Sequence, residues 1–288
     1  MKILVVGKNS YIGTSFMNWI KKNGRAEIDV VESENDVWRD ISFDGYDTVV
    51  HVAGIAHVSR NPKYEGLYYK VNRDLSIAVA QKAKDENVKQ FIFMSSIIVY
   101  GDDTDITNEI PIDRATKPVP ANFYGKSKLE AEYQIYLMQS SDFHVAIVRC
   151  PVVYGPNCKG NFVKLIKMAK LLFLIPDINN TRSMIFIDNL CAFLSLIIEK
   201  KAFGVFFPQN NQYVSMKSII TSIRSVFGKK TYTTTIFNSF ILVLSKRVRL
   251  FRKIFGNKFY AQDISFDSEI GDYTIVSFEE SIRLCVKE

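Results

Sequence analysis

The first twenty residues constrain the fold more than any other stretch of the chain. Lys2 to Val6 is a continuous apolar run that predicts a buried strand, and it leads directly into Gly7-Lys-Asn-Ser-Tyr-Ile-Gly13. Apolar residues then recur at helical spacing from Phe16 onward. A strand, a glycine-rich turn and a helix in that order predict a dinucleotide-binding unit, although an ordinary strand-turn-helix is the alternative. Gly7 would permit the tight turn, and Gly13 would let the helix pack close to the strand with its first amides facing a pyrophosphate.

The turn and the segments that follow it predict the other cofactor contacts. The middle position of the glycine spacing is Ser10, so we expect an altered phosphate contact there, beside Tyr11 and Ile12. A second strand is predicted from Glu27 to Val31, and Glu32 follows it. A carboxylate at that place would accept hydrogen bonds from ribose hydroxyls and repel a 2′-phosphate, which favours NAD and leaves NADP possible. A solvated turn with surface acids is the alternative.

Two further stretches would border the same cofactor. Asp40-Ile41 is expected at the adenine edge. Asp47 to Gly54 is predicted as the fourth strand, and its small last residues Val52, Ala53 and Gly54 would let a nicotinamide ribose lie close. Inside that strand, His51 is expected to be a packed core residue. Just beyond it, His57 is either a substrate contact or a loop residue that faces solvent.

A tyrosine and a lysine predict proton-transfer chemistry. Tyr124 and Lys128 stand four residues apart in a predicted helix, so both side chains lie on one face. A lysine beside a tyrosine is expected to lower the pKa of the phenol toward neutrality, as the interconversion of a carbonyl and an alcohol requires. A plain surface helix is the alternative. Ser95 and Ser96 end the strand that begins at Gln90, at the edge of a parallel sheet where ligands bind.

Strands and helices alternate without interruption as far as residue 150, which predicts an α/β fold with a doubly wound parallel sheet, the Rossmann type. Tyr68 to Glu86 is expected to form one long helix, with Val71 and Leu75 beginning its buried stripe. Residues 1–150 would form the dinucleotide-binding domain, to which 184–208 would return. Residues 151–183 and 209–288 would form a smaller, mostly helical substrate lobe, including a helix from Asn161 to Leu174.

Composition narrows the class of protein. No apolar run approaches the roughly 20 residues that span a bilayer, and no secretory signal is recognisable, so a cytoplasmic protein is expected. Three histidines and four widely spaced cysteines argue against a metal site and a disulfide framework. Much of the net charge of +7 lies from Lys246 to Lys258, which favours a local anionic partner over nucleic acid.

Several motifs together resemble those of the extended short-chain dehydrogenase/reductases, and more narrowly the NAD-dependent epimerase/dehydratase family that acts on nucleotide sugars. They are Gly7…Gly13, His51-Val-Ala-Gly54, Asn72, Ser96-Ile-Ile-Val-Tyr-Gly101, Tyr124-Gly-Lys-Ser-Lys128, Arg149-Cys-Pro-Val-Val-Tyr-Gly-Pro156 and Asn161-Phe.

The resemblance implies a role for each of these positions. Tyr124 would be the general acid/base, and Lys128 would lower its pKa and hold the nicotinamide ribose. Ser96 would hydrogen-bond the reacting sugar oxygen, and Asn72 would support the site. The resemblance also places Asn161 and Arg182 near the diphosphate of the substrate.

One departure from the family pattern limits the reaction. Dehydratase members carry an Asp-Glu pair directly after the hydroxyl residue, where this chain has Ile97 and Ile98. Aliphatic side chains transfer no protons, which excludes dehydration. A 4-ketoreductase of surface-polysaccharide synthesis is favoured, because residues 180–190 are most similar to that type. A 4-epimerase is the alternative, and a dinucleotide sensor without chemistry is a second alternative.

Two surface hypotheses remain. Phe237 to Tyr260 is apolar and then basic, so it would either lie on an anionic membrane or pack on the core as a substrate-lobe helix. Helices at 68–86 and 124–138 would form a two-fold homodimer interface.

Overall fold

The secondary structure is a series of strands with helices on both sides. The computed structural model describes residues 1–24, 26–56, 61–101, 106–107, 109–266 and 268–287. Within them the strands are β1 (Lys2–Val6), β2 (Glu27–Val31), β3 (Thr48–His51), β4 (Gln90–Ser96), β5 (His144–Cys150), β6 (Val152–Tyr154), β7 (Leu174–Pro176), β8 (Met184–Phe186), β9 (Gly204–Phe206) and β10 (Tyr232–Thr234). The α-helices are α1 (Tyr11–Asn23), α2 (Glu65–Tyr68), α3 (Leu75–Asp85), α4 (Phe123–Tyr136), α5 (Asn161–Ala169), α6 (Ile187–Glu199), α7 (Met216–Val226), α8 (Asn238–Arg247), α9 (Arg249–Phe255), α10 (Gln262–Ser265) and α11 (Phe278–Val286).

Six strands form one parallel sheet in the order β2-β1-β3-β4-β5-β9. In register, Val5 of β1 stands opposite Val30 on one side and Val50 on the other. The chain therefore runs outward from β1 in both directions, and the loops after β1 and β3 diverge at their carboxyl ends. Such a switch point leaves a crevice for a ligand. The predicted doubly wound sheet is confirmed.

The described connection from β2 to β3 contains no further strand, so Thr48–His51 is the third strand, and the prediction that Asp47 to Gly54 is the fourth was wrong. A 3-10 helix, Glu34–Arg39, occupies that connection, with left-handed backbone at Asn35 and Asp36. Trp38 and Phe43 are buried and anchor the segment to the core. Two buried aromatic side chains thus hold the connection between β2 and β3 against the core.

Side chains from both faces of the sheet enter separate cores. Ile3 and Val5 pack with Phe16 of α1 and with α6, whereas Leu4 and Val6 pack with α3 and α4 on the other face. Because successive side chains of a strand point to opposite faces, a strand covered on both sides must be apolar throughout. That requirement explains the uninterrupted apolar run of β1.

The predicted long helix is interrupted. Between α2 and α3 the chain forms a π-helical segment, Tyr69–Asp74. Its buried face runs through Tyr68, Asn72 and Ser76, not through Val71 and Leu75, which are only half-buried. The wider turn shifts the helix face by about one residue, and polar side chains are buried here because each has a hydrogen-bond partner.

The second half of the chain adds two small parallel sheets, β6 with β8 and β7 with β10. The predicted helix to Leu174 was too long: α5 ends at Ala169, because residues 174–176 pair with 232–234. β9 pairs with β5 and so lies in the central sheet. The division into two domains stays a prediction.

No helix in the described ranges combines the length and the apolar character that crossing a membrane would need.

Candidate active site

The glycine turn fits tightly against the end of β3. Gly7 has φ +128°, and a β-carbon there would lie 2.7 Å from the backbone nitrogen of Ala53. A β-carbon on Gly13 would lie 2.9 Å from Cγ2 of Val52. Both glycines are therefore needed for the close approach of β1, α1 and β3. This cradle at the switch point fits a dinucleotide.

The first turn of α1 is capped by Ser10. Its Oγ accepts a hydrogen bond from the amide of Gly13 at 3.4 Å. The amides of Tyr11 and Ile12 belong to the first turn of α1, where backbone amides have no acceptor within the helix. They lie at the positive end of the helix dipole, where a phosphate would bind. The structure thus gives the side chain of Ser10 a capping role, and its phosphate contact stays a prediction.

The structure places one of the three predicted adenosine contacts beside this turn. Gly7 and Lys8 donate backbone hydrogen bonds to the carbonyl of Val31, which brings the next residue, Glu32, beside the glycine turn. Asp40 and Ile41 are exposed directly after the 3-10 helix. Glu32 is the best placed of the three, and all three assignments stay predictions.

The side chains of Tyr124 and Ser96 are neighbours, and the hydroxyl of Ser96 lowers the pKa of the Tyr124 phenol. Ser96 is the last residue of β4, and its Oγ also accepts from the amide of Ile98 at 3.3 Å. Tyr124 is the second residue of α4, whose amino end is capped by Asn122 through a 3.0 Å bond from the amide of Gly125. Residues 28 positions apart in the sequence are therefore brought together at the carboxyl edge of the sheet.

Close packing at Gly125 holds this arrangement. A β-carbon on Gly125 would lie 2.8 Å from the carbonyl oxygen of Ile98 and 2.8 Å from Cβ of Pro120. Only a glycine lets the first turn of α4 approach the backbone that follows Ser96. The neighbouring residue Tyr124 is carried to the hydroxyl of Ser96 by that approach.

Lys128 lies one turn further along α4, almost completely buried. Its Nζ donates to the carbonyl of Met94 at 2.9 Å and lies 4.5 Å from the ring centre of Phe93. It would be 3.3 Å from a β-carbon on Gly54. Lys128 thus lies against Gly54, among the small residues that follow β3, where the nicotinamide ribose was predicted. Burial lowers the pKa of Lys128 to about 8, and the charge of Glu132 opposes that shift.

The predicted lowering of the phenol pKa was wrong for the protein without cofactor. Burial raises the pKa of Tyr124 to about 12, and the hydroxyl of Ser96 lowers it only in part. The ammonium of Lys128 is engaged by the carbonyl of Met94. The apolar surroundings therefore favour the neutral form of both groups.

Asn72 joins the end of β3 to α4. Its Oδ1 accepts from the amide of Ile55 at 2.9 Å, and its Nδ2 donates to the carbonyl of Ile55 at 3.0 Å and to Oγ of Ser127 at 3.4 Å. Asn72 thus positions the chain beyond Gly54. The predicted supporting role is compatible with these contacts and stays a prediction.

The two histidines near the end of β3 have different outcomes. His51 is fully buried between the rings of Phe91 and Phe93, and its Nε2 is 3.0 Å from Oγ of Ser76, as expected of a packed core residue. His57 lies outside the described residues.

A buried ion pair next to the site was not predicted. Arg149 of β5 binds the carboxylate of Glu132 at 2.6 Å and the hydroxyl of Tyr100 at 2.6 Å, and Ser95 donates to the same carboxylate. Glu132 stands four residues after Lys128, so the helical spacing was the available signal. The pair fastens α4 to the two strands beneath it.

The two predicted diphosphate contacts lie in the second half of the chain. Asn161 is the exposed first residue of α5. The guanidinium of Arg182 donates to the carbonyl of Lys253 at 2.8 Å, which connects it to α9. Their contact with a substrate stays a prediction. Across the described ranges, His, Cys, Asp and Glu form no cluster of three that would hold a metal ion.

The sheet order and the Ser96–Tyr124–Lys128 arrangement define a Rossmann-fold protein of the short-chain dehydrogenase/reductase class. The sequence model of the NAD dependent epimerase/dehydratase family matches residues 3–206, so the chain belongs to that family.

Two curated relatives and one solved structure are similar to the chain. It is 34% identical to the UDP-glucose 4-epimerase of Vibrio cholerae over 192 residues, 64% of this chain and 58% of the relative. It is 27% identical to the N-acetyl-alpha-D-glucosaminyl-diphospho-ditrans,octacis-undecaprenol 4-epimerase of Escherichia coli O157:H7 over 198 residues, 66% and 58%. The chain thus spans less than two thirds of either relative.

The solved structure is the UDP-glucuronic acid 4-epimerase from Bacillus cereus in complex with NAD. It superposes with a TM-score of 0.77 at 21% identity, and the match covers 100% of this chain and 96% of that chain. This likeness shows the fold.

The packing at Gly125 generates the first prediction. Alanine normally stabilises a helix by about 1 kcal/mol relative to glycine, but Gly125→Ala should destabilise the protein by about 1–3 kcal/mol because the backbone of Ile98 must move. Chemical unfolding measures this difference. Gly66→Ala in α2 is the matched control, because nothing lies within 4 Å of its β-carbon position. Equal behaviour of the two variants would contradict the packing argument.

The buried ion pair of Glu132 and Arg149 generates the second prediction. Glu132→Gln should lower the free energy of unfolding by about 3–5 kcal/mol, since it leaves the charge of Arg149 buried without its partner. Glu130→Gln on the same helix removes a half-exposed partner of Arg73 and should cost less than about 1 kcal/mol. Urea titrations of both variants give the comparison, and a loss below 1 kcal/mol for Glu132→Gln would refute the role assigned to the pair.

The burial of Lys128 generates the third prediction. In the cofactor-free protein Lys128 has a folded pKa of about 8, against 10.5 when unfolded, so above pH 8 the unfolded state binds the additional proton. Stability relative to Lys128→Met should therefore rise between pH 8 and 10.5, by on the order of 3 kcal/mol. Unfolding at a series of pH values measures it. Lys126→Met, an exposed position on α4, is the control, and a flat difference for Lys128→Met would exclude a depressed pKa.

Proposed function

We propose that this protein is a NAD-dependent 4-epimerase of nucleotide sugars. The observation that carries the proposal is that Tyr124 and Ser96 are neighbours at the carboxyl edge of the sheet, one helical turn from Lys128. This geometry suits removal and return of hydrogen at one carbon that bears a hydroxyl. The 4-epimerase names of both curated relatives favour carbon 4.

Each residue has a defined task in this proposal. NAD, when bound, would accept a hydride from the sugar and return it. Tyr124 would take the proton from the hydroxyl at carbon 4 and give it back, while Ser96 would hydrogen-bond the same oxygen. Gly7, Gly13 and the amides of Tyr11 and Ile12 would hold the pyrophosphate, and Glu32 the ribose, which favours NAD over NADP.

The pKa values suggest when Tyr124 becomes a base. With a pKa of about 12, Tyr124 is protonated at neutral pH. A positive charge brought into these apolar surroundings, together with that of Lys128, lowers the pKa of a phenol. Proton transfer would therefore be confined to the loaded enzyme.

The residues after Ser96 support redox chemistry without dehydration. Ile97 is buried with Ile112, Phe207 and Tyr260 in an apolar cluster, and Ile98 is half-buried. Neither can donate or accept a proton, so the acid and base that removal of water needs are missing at these positions.

A 4-ketoreductase is the second candidate, and it was favoured from the likeness of residues 180–190. The same catalytic residues serve both reactions, and the names of the relatives reverse the preference. A dinucleotide sensor is less well supported, because tyrosine, lysine and serine are brought together. The homodimer through helices at 68–86 and 124–138 stays a prediction.

The fourth prediction separates these functions. Purified protein with NAD should interconvert UDP-glucose and UDP-galactose, or their N-acetylamino counterparts, with no net change in NADH absorbance. Tyr124→Phe should lower kcat by about 10²–10⁴, because the proton acceptor is removed. Tyr133→Phe, an exposed position on the same helix, should leave kcat unchanged.

Two outcomes would contradict the proposal. Stoichiometric consumption of NADH with a 4-keto sugar nucleotide, without interconversion, would indicate the reductase. Full activity of Tyr124→Phe would remove the assigned catalytic role.

A further inference from the structure

The second half of the chain exposes a set of large apolar side chains that the proposed chemistry does not use. Six of them are between 59% and 82% exposed: Leu171, Phe173, Tyr232, Ile236, Phe240 and Val243. We call this set the apolar face. Single exposed apolar residues are ordinary, whereas a contiguous group indicates a surface that binds something.

Hydrogen bonds join the segments that carry the face. The amide of Tyr232 donates to the carbonyl of Phe173 at 2.8 Å, at the start of the β7–β10 pair. At the other end of the pair, Nδ2 of Asn238 donates to the carbonyl of Asp177 at 2.7 Å. Asn238 is the first residue of α8, which carries Phe240 and Val243. Two stretches far apart in sequence, 171–177 and 232–243, are therefore joined.

Charge around the face is strongly one-sided. Residues 143–262 contain 18 Lys and Arg but only three Asp and Glu, and residues 200–262 contain 12 basic residues and no acidic residue. The rest of the chain carries a net negative charge, so the overall +7 conceals the asymmetry. Lys167, Lys170 and Lys230 flank the face in sequence, and Asp177 is paired with Lys217 at 2.6 Å.

The structure also decides which side of the segment 237–260 faces outward. Leu242 of α8 and Phe251 and Phe255 of α9 pack on a cluster of Ile106, Ile178 and Ile241. The amphipathic second half therefore packs on the protein, as the core alternative expected. The outer side of α8 remains exposed at Phe240 and Val243, each more than 60% accessible.

We propose that the apolar face binds the surface of an anionic lipid bilayer. Its aromatic and aliphatic side chains enter the headgroup region, and the surrounding lysines contact lipid phosphates, a combination typical of proteins that lie on membranes. Cores of protein–protein interfaces are instead depleted in lysine. The contact involves none of the residues at Tyr124, so the proposal stands or falls independently of the epimerase activity.

Vesicle flotation tests the proposal with the full chain. At low salt, the protein should float with vesicles of phosphatidylcholine and phosphatidylglycerol and not with phosphatidylcholine alone. The triple variant Phe173→Ser, Ile236→Ser, Phe240→Ser should bind at least about tenfold more weakly, since apolar contact with the bilayer is lost. The control changes three equally exposed residues on other elements, Leu137→Ser, Phe203→Ser and Ile275→Ser, and should bind like the parent.

A second variant tests the charges and keeps the test valid should the first unfold. Lys167→Glu, Lys230→Glu and Lys246→Glu together should weaken binding at least about a hundredfold, from about 1 kcal/mol per lysine near an anionic surface. Lys21→Glu, Lys63→Glu and Lys117→Glu together make the same change in net charge elsewhere and should reduce binding much less.

Three results would overturn the proposal. The first is that the parent protein does not float with anionic vesicles at low salt. The second is that the apolar-face variant and its control lose vesicle binding equally. The third is that the protein sediments as a dimer which only the apolar-face variant dissociates. The last result would show that a second copy of the chain covers the face.

Discussion

The close approach of α4 to the end of β4 is the constraint on which the site depends. Gly125 lies against the carbonyl of Ile98 with no room for a β-carbon, and the side chain of Tyr124 is thereby placed at Ser96. Asn72 ties the same helix to the end of β3 through Ser127, and Glu132 ties it to β5 through Arg149. Three separate strands are thus held to one helix, which is how a sheet edge positions groups within hydrogen-bond reach.

Burial around this turn has a direct chemical consequence. It raises the pKa of Tyr124 to about 12 and lowers that of Lys128 to about 8, so both groups are driven toward their neutral forms. A phenolate and an ammonium that face each other would offset the desolvation penalty of both charges. The ammonium of Lys128 instead donates to the carbonyl of Met94. With this pKa, the phenol of Tyr124 keeps its proton at neutral pH. The directions of both pKa shifts follow from desolvation, which penalises the charged form of each group.

Polar groups beneath the site are buried in pairs, and this explains why the fold tolerates them. Glu132 and Arg149 neutralise each other and share bonds with Ser95 and Tyr100. Such a pair adds little net stability compared with apolar packing, but breaking it is costly. Its value to the protein lies in orientation, since a bidentate guanidinium and carboxylate admit one geometry. The second half of the chain, by contrast, leaves apolar and basic side chains on its surface, where no such pairing is required.

Local patterns in the sequence determined the fold class, the glycine turn, the position of β2 and the pairing of Tyr124 with Lys128 on one helix face. Each of these depends on residues within about twenty positions, and strand and helix periodicities are local properties. Tertiary structure alone decided the rest. Trp38 and Phe43 hold the connection between β2 and β3 in the core, and the π-helical segment buries Asn72, whose side chain hydrogen-bonds Ile55 and Ser127. The pKa of Tyr124 moved opposite to the prediction because desolvation depends on everything packed around the ring, most of it distant in sequence.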